Sequence, residues 1–239
     1  MALPHEVVTV VGRTGSGKTR LIAKALGPRH ARRITLDSMG ECEDLYPDAH
    51  RVFTLEEAYN AMNAWAQQGV TTWHLVAALD ESSVGLLMAK LAPQYDGKTE
   101  SLSAALGGVC VECFEIDLYL PVSGAGGQVT RAFQHAVARG RHVGLSLLCA
   151  TQRPAQCHRI LTSQSQYVVS FSMHEPGDVR WLQSVGGTRF ARIAHHGLKR
   201  YHSVWYSALS HAVTVRDPNY KEVRTEPNLF PDDNAGRVK

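Results

Sequence analysis

Gly12-Arg13-Thr14-Gly15-Ser16-Gly17-Lys18-Thr19 stands directly after the apolar run Val7, Val8, Val10 and Val11, and directly before the amphipathic stretch Thr19 to Leu26. It satisfies G-x-x-x-x-G-K-[ST], and its flanks supply the strand and the helix that the motif requires. A loop that wraps a polyanion with backbone N–H groups needs glycines, because close approach and positive φ angles exclude side chains. Lys18 is then placed for the β/γ-phosphates and Thr19 for Mg²⁺. The following helix, closed by Gly27-Pro28, points its positive end at the phosphates. The eight residues Gly12, Arg13, Thr14, Gly15, Ser16, Gly17, Lys18 and Thr19 therefore predict a site for ATP with Mg²⁺.

Outward from this loop, apolar runs alternate with helical patterns, which predicts an α/β fold with a mostly parallel central sheet flanked by helices. Expected strands are Glu6 to Val11, Arg33 to Asp37, Trp73 to Leu79, Val109 to Ile116, Val143 to Ala150 and Tyr167 to Met173. Val143 to Ala150 is the most apolar and should be central. Helices are expected from Thr54, with Glu56 and Glu57 in the first turn, through Val84 to Leu91, after the loop Ser123-Gly124-Ala125-Gly126-Gly127, and over His158 to Ser165. Another runs from Glu175 to Val185 and is broken by Gly186-Gly187. Leu198 to Ser207 alternates as an edge strand, and from Asp217 the Pro, Asp and Asn content predicts a poorly packed tail. The domain division that results is a motor domain over residues 1–216 and a tail over 217–239.

At 239 residues and 44% hydrophobic content, the chain suits one large domain. No apolar stretch reaches the length of a membrane span and no signal peptide is visible, so a soluble, intracellular protein is expected. The odd count of five cysteines argues for reduced thiols. Cys110 and Cys113, three apart on a strand, should face opposite sides rather than share a metal, and His195, His196 and His202 read as solvated or DNA-facing residues. The net charge of +3 conceals a division. Residues 1–117 hold 10 Lys/Arg against 15 Asp/Glu, whereas 118–216 hold 11 against two, Glu175 and Asp178. That asymmetry suggests a polyanionic partner or a neighbouring subunit's acidic face.

The run Gly140-Arg141-His142-Val143-Gly144-Leu145-Ser146-Leu147-Leu148-Cys149-Ala150-Thr151-Gln152-Arg153-Pro154 resembles the "GR-x-x-G…ATQRP" segment of the HerA/FtsK family of DNA-pumping ATPases. The phosphate loop and Phe171 to Asp178 fit the same pattern, so the resemblance covers about residues 6 to 206. It implies a RecA-like P-loop NTPase that assembles as a homo-oligomeric ring around double-stranded DNA, a hexamer or pentamer. It also implies that Gln152 senses the γ-phosphate and that Arg141, or Arg139, reaches the neighbouring subunit's nucleotide. The family's strand-end Asp-Glu pair is altered here. In the register of Leu118-Tyr119-Leu120-Pro121, Glu115 takes the catalytic glutamate's place while Phe114 stands where the aspartate belongs. Help with the metal then falls to Asp37 or Asp117 beside Thr19. A second register makes Glu112 the strand-end acid, at the cost of burying a glutamate inside a central strand without an evident partner.

Cellular translocases of this kind carry an extra barrel or membrane anchor, whereas the phosphate loop here begins at residue 12. The minimal core is similar to the packaging ATPases of membrane-containing or double-jelly-roll icosahedral viruses. The resemblance implies DNA translocation into a preformed capsid, with capsid vertex proteins as partners, in the host cytoplasm or the virion, and no integral membrane segment. DNA phosphates would be held by Arg189, Arg192, Lys199 and Arg200, which lie in an acid-free segment from Val179 to Arg216 and serve equally well as a subunit interface. Two rivals stay open: a nucleotide-gated assembly protein with weak hydrolysis, and a small-molecule kinase.

Overall fold

The structure, a computed structural model, describes residues 5–37, 40, 42, 44–94, 99–122 and 127–227. In chain order the elements begin with β1 (Val7–Val11), the phosphate loop and α1 (Lys18–Leu21), which runs on through a π-helical stretch at Ile22–Leu26 into a tight turn at Gly27–Arg29. Next come β2 (Arg32–Leu36), β3 (His50–Val52), α2 (Leu55–Gln67), β4 (Trp73–Ala77), α3 (Glu81–Leu91), α4 (Leu102–Ala105) and β5 (Val109–Cys113). The second half holds α5 (Gln128–Val143), β6 (Leu145–Thr151), α6 (Arg159–Gln164), β7 (Tyr167–Ser170), α7 (Pro176–His196), β8 (Ser203–Ser207), β9 (Ala212–Arg216) and β10 (Glu222–Pro227).

Among the described residues these strands form one sheet in the order β10-β9-β8-β7-β1-β6-β5-β2-β4-β3. The seven strands from β7 to β3 are parallel, and β8, β9 and β10 add an antiparallel extension beyond β7. β1 and β6 pair from Val7↔Leu147 to Val11↔Thr151 at the centre, and all seven residues of β6 are buried. Strands buried on both faces need unbroken apolar runs, which is why the alternation of an open sheet is missing there.

The two faces are covered by different elements. Val8, Val10, Cys110 and Leu148 pack with Leu21 and Ile22 on one side. On the other, Val7, Val111, Cys113 and Leu147 meet α2, α3 and α5, and Val11, Val168 and Val204 meet α7. Cys110 and Cys113 thus face opposite layers, as their spacing predicts, and all five cysteines are free and buried. The N-terminus of α2 is fixed by a capping box in which Thr54 Oγ1 accepts from the Glu57 amide at 3.1 Å and Glu57 Oε2 accepts from the Thr54 amide at 3.2 Å.

Several expectations need correction. The expected break at Gly186-Gly187 is a kink: Gly187 has φ 80° and ψ 172°, and the helix resumes to His196, so Arg189 and Arg192 lie on helix α7. The strand expected over Leu198 to Ser207 starts only at Ser203, and it is interior, since β9 and β10 continue the sheet outside it. The stretch expected to be a loose tail begins with β10, paired to β9; residues 228–239 lie outside the described residues, as do 123–126 of the glycine-rich loop. Short β3, with only three residues, gave too little pattern to be read from sequence.

Candidate active site

Every strand that matters ends at the same edge. The phosphate loop leaves the carboxyl end of β1, Glu115 follows β5, Gln152 follows β6 and Phe171 follows β7. Parallel strands that diverge to either side leave a crevice at their carboxyl ends, the usual ligand site of such sheets.

Glycines set the conformation of the loop. Gly15 and Gly17 have φ angles of 70° and 109°, which only glycine adopts cheaply. A Cβ on Gly17 would stand 3.3 Å from the Phe171 ring, and one on Gly12 would lie 2.8 Å from Phe171 Cβ, so Phe171 is the floor of the loop. Ser16 Oγ is buried and has no hydrogen-bond partner, a donor awaiting an acceptor. Lys18 folds back to donate from Nζ to the carbonyls of Gly12 at 2.9 Å and Arg13 at 3.2 Å. Burial lowers its ammonium pKa, and the charges of Glu115 and Asp117 work against that shift. A phosphate group would relieve both the orphaned hydroxyl and the desolvated cation.

Glu115 and Gln152 face this loop from the neighbouring strands. Gln152 donates from Nε2 to Glu115 Oε1 at 2.8 Å, and its Oε1 accepts from the hydroxyl of Thr14 in the loop. Glu115 sits in the left-handed region, at φ 60° and ψ 53°, where a non-glycine residue is held only by its surroundings. Asp117 accepts from Thr151 Oγ1 at 2.6 Å, which ties the end of β6 to the turn after β5. Asp37 is buried at 4% exposure, and its Oδ2 accepts from the Cys42 amide at 3.1 Å. The charges of Glu115 and Asp117 act on Lys18, so both carboxylates lie near the loop that carries the exposed Thr19 hydroxyl, and Mg²⁺ needs only one or two carboxylates beside phosphates and water.

Glu112, the alternative strand-end acid, is elsewhere. It is wholly buried in β5, but it has partners: Arg33 Nη1 at 3.3 Å, Thr35 Oγ1 at 2.8 Å and the Tyr46 hydroxyl all donate to it. Because the single Thr35 proton goes to Glu112, His74 Nε2, 2.8 Å from the Thr35 oxygen, must be the donor in that contact. Burial, and next the charge of Arg33, depress the His74 pKa to about 3, so the ring is neutral. The expectation that Glu112 would lack a partner was wrong, because the β2–β5 pairing sets Arg33 and Thr35 beside it and Tyr46 reaches it from the segment between β2 and β3.

Arg139 and Arg141 are exposed near the end of α5. That end feeds the amino end of β6, so both guanidinium groups lie at the edge of the sheet opposite the phosphate loop of the same chain. Of the four cations expected on DNA, Arg192 is exposed and Arg189 half-buried on α7, whereas Lys199 and Arg200 line a cavity with Arg13, Gly15 and Ser16. Sequence reading missed Phe171 and Tyr201 as neighbours of the loop; a phosphate loop needs a floor, but no pattern says which strand provides it.

The same fold recurs in solved structures. The genome packaging NTPase B204 from Sulfolobus turreted icosahedral virus 2 aligns in its complex with AMPPCP at TM-score 0.67 and 21% identity, over 89% of this chain and 97% of that one. In its sulfate complex the same protein aligns at TM-score 0.69 and 22% identity, over 90% and 97%. This chain has the fold of a viral genome-packaging P-loop NTPase. The cytoplasmic domain of the Thermomonospora curvata Type VII secretion ATPase EccC aligns more loosely, at TM-score 0.54 and 14% identity, over 92% of this chain and 24% of that one. No protein-family model and no curated protein sequence matches the chain. Among the described residues no helix is long and apolar enough to cross a membrane.

Proposed function

We propose that the chain is an ATP hydrolase that drives double-stranded DNA, in the manner of a viral genome-packaging motor. The observation that carries the reading is the Thr14–Gln152–Glu115 chain of hydrogen bonds, which joins the phosphate loop to the acid that faces it. ATP binds with its phosphates on the amides of Gly15 to Thr19 and on Lys18, which exchanges its two loop carbonyls for phosphate oxygens. Glu115 orients a water for in-line attack on the γ-phosphorus and takes its proton; the bond to the bridging oxygen breaks, and ADP and phosphate leave. Mg²⁺, if held by Thr19 with Asp117, would supply neutralising charge on the phosphates and leave Glu115 free for the water. Gln152 touches both the loop and the acid, so it is positioned to report the loss of the γ-phosphate along β6.

Arg141 or Arg139 completes the site of a neighbouring copy in a ring, hexameric or pentameric, because neither reaches its own. DNA is gripped through its phosphates by Arg189 and Arg192 on α7, without reading of bases. Capsid vertex proteins would receive the DNA, in the host cytoplasm or at the virion. Steady-state ATP turnover measured with and without duplex DNA, alongside the native mass, tests the proposal. Turnover raised by duplex in an assembly larger than a monomer is expected. Turnover indifferent to duplex would leave a nucleotide-gated assembly protein, and a strict monomer would remove the role in trans.

A further inference from the structure

The phosphate loop has a cavity on each flank. One, of about 600 Å³, is lined by Thr14 and Gln152 and by the carboxyl-bearing Glu175 and Asp178. The other, of about 340 Å³, lies between Arg13, Gly15 and Phe171 on one wall and Lys199, Arg200 and Tyr201 on the other, with no carboxylate among the described residues of its lining. The second exists because β8 is antiparallel to β7, with Ser170 opposite Val204. The chain therefore enters β8 at the carboxyl edge of β7 and lays residues 198–202 beside the loop.

Tyr201 is unusual there. It is left-handed at φ 61°, costly for a bulky residue, and 44% exposed. Its ring comes within 3.8 Å of the point that a Gly17 Cβ would occupy. The Arg200 guanidinium lies 4.8 Å from the ring centre, and its Nη2 donates to the Tyr201 hydroxyl at 2.9 Å. A strained aromatic, fixed by Arg200 at the mouth of a phosphate cradle and still 44% exposed, offers a surface for stacking. We infer that the cavity between the phosphate loop and the Leu198–His202 turn holds the nucleobase of the triphosphate, stacked on Tyr201. The inference rests on the proposed ATP site and adds the groups that recognise the rest of the nucleotide. The opposite flank suits a base less well, because Glu175, Asp178, Arg153 and Gln152 line it with charged and polar groups and it has no exposed aromatic ring of the Tyr201 kind among its described residues. Cavities of about 300 Å³ and above are ordinary small-ligand sites, and base–aromatic stacking is sequence-tolerant. Lys199 and Arg200 are thereby reassigned from DNA to nucleotide.

The test separates base from phosphates. Equilibrium binding of ATP and of inorganic tripolyphosphate is measured on the full chain and on the Tyr201→Ala, Tyr201→Phe and Lys18→Ala variants. Tyr201→Ala should weaken ATP about tenfold and leave tripolyphosphate unchanged, and Tyr201→Phe should retain the wild-type affinity for both. Equal loss of both ligands in Tyr201→Ala would mean that the ring only props up the loop, and the inference fails. Unchanged ATP affinity with weakened duplex DNA binding would return the turn to DNA, and also overturns it. Lys18→Ala should lose both ligands; if it loses neither, the phosphate site itself is misassigned, a failure distinct from that of the base pocket. Should Tyr201→Ala not fold, photolabelling of the wild-type chain with 8-azido-ATP decides: label on the Leu198–His202 turn or Phe171 supports the assignment, and label elsewhere overturns it.

Discussion

Gln152 donates from its side-chain nitrogen to Glu115 Oε1 at 2.8 Å while its oxygen is held by the Thr14 hydroxyl, so one amide spans the gap between the phosphate loop and the acid opposite. The two residues lie 37 positions apart and meet because β5 and β6 are adjacent and parallel, ending side by side.

Removing the base while keeping its shape isolates chemistry from binding. Glu115→Gln should bind ATP with near-normal affinity and hydrolyse it about 10² to 10⁴ times more slowly, the usual range for a lost general base. Lys18→Ala should fail at the binding step instead. Filter binding of labelled ATP beside phosphate release distinguishes the two. Normal turnover in Glu115→Gln would show that another acid prepares the water.

Glu112 offers the matching control. Glu112→Ala strands the Arg33 charge and removes the acceptor of Thr35 and Tyr46. Breaking a buried pair costs about 3–5 kcal/mol, and the 18% exposure of the Arg33 side chain brings the expectation down to roughly 2–4 kcal/mol. Urea unfolding should show that loss. A Glu112→Gln protein that still folds should hydrolyse ATP, unlike Glu115→Gln; loss of turnover with intact folding would reinstate the other register.

The arginine at the far edge makes a prediction about mixtures. β6 rises about 3.3 Å per residue over its seven residues, so Arg141 is on the order of 20 Å from the end of the sheet where its own chain holds ATP. Arg141→Ala alone and Lys18→Ala alone should both be nearly inactive, since an arginine supplied from a neighbour is worth roughly 10³ to 10⁵ in rate. Mixed, they should recover part of the turnover, because an intact Arg141 on a Lys18→Ala copy serves the intact loop beside it. Absence of recovery with Arg141, repeated with Arg139, would show that neither acts in trans.

How far these sites could be read in advance depended on whether the signal was local. The phosphate loop, the capping box at Thr54 and the buried run of β6 are each contiguous, and short-range physics writes them into adjacent residues. Glu115 and Gln152 were singled out through the family resemblance and their strand-end positions, yet their contact was invisible. Glu112 was misjudged because its partners, Arg33, Thr35 and Tyr46, gather from a neighbouring strand and a loop. Lys199 and Arg200 read as a basic patch, and only the antiparallel return of β8 brings them to the loop. β10 was lost because Pro, Asp and Asn flank it, while its pairing to β9 outweighs the poor local propensity.

His74 makes the buried network sensitive to pH. Its folded pKa is about 3, against an ordinary value of 6.5 in the unfolded chain. Between those values the unfolded state binds a proton that the folded state refuses, so acid favours unfolding. The contribution is fully present above pH 6.5 and declines progressively as the pH falls toward 3. Protonation in place would set an imidazolium near the Arg33 guanidinium, with Thr35 standing between it and Glu112. The urea midpoint of the wild-type chain should therefore fall more steeply from pH 7 to pH 5 than that of His74→Gln, whose amide can still donate to Thr35 but does not titrate. Parallel slopes for the two proteins would show that the ring is already open to protonation in the folded state, and that the Glu112 network is wetter than its geometry implies.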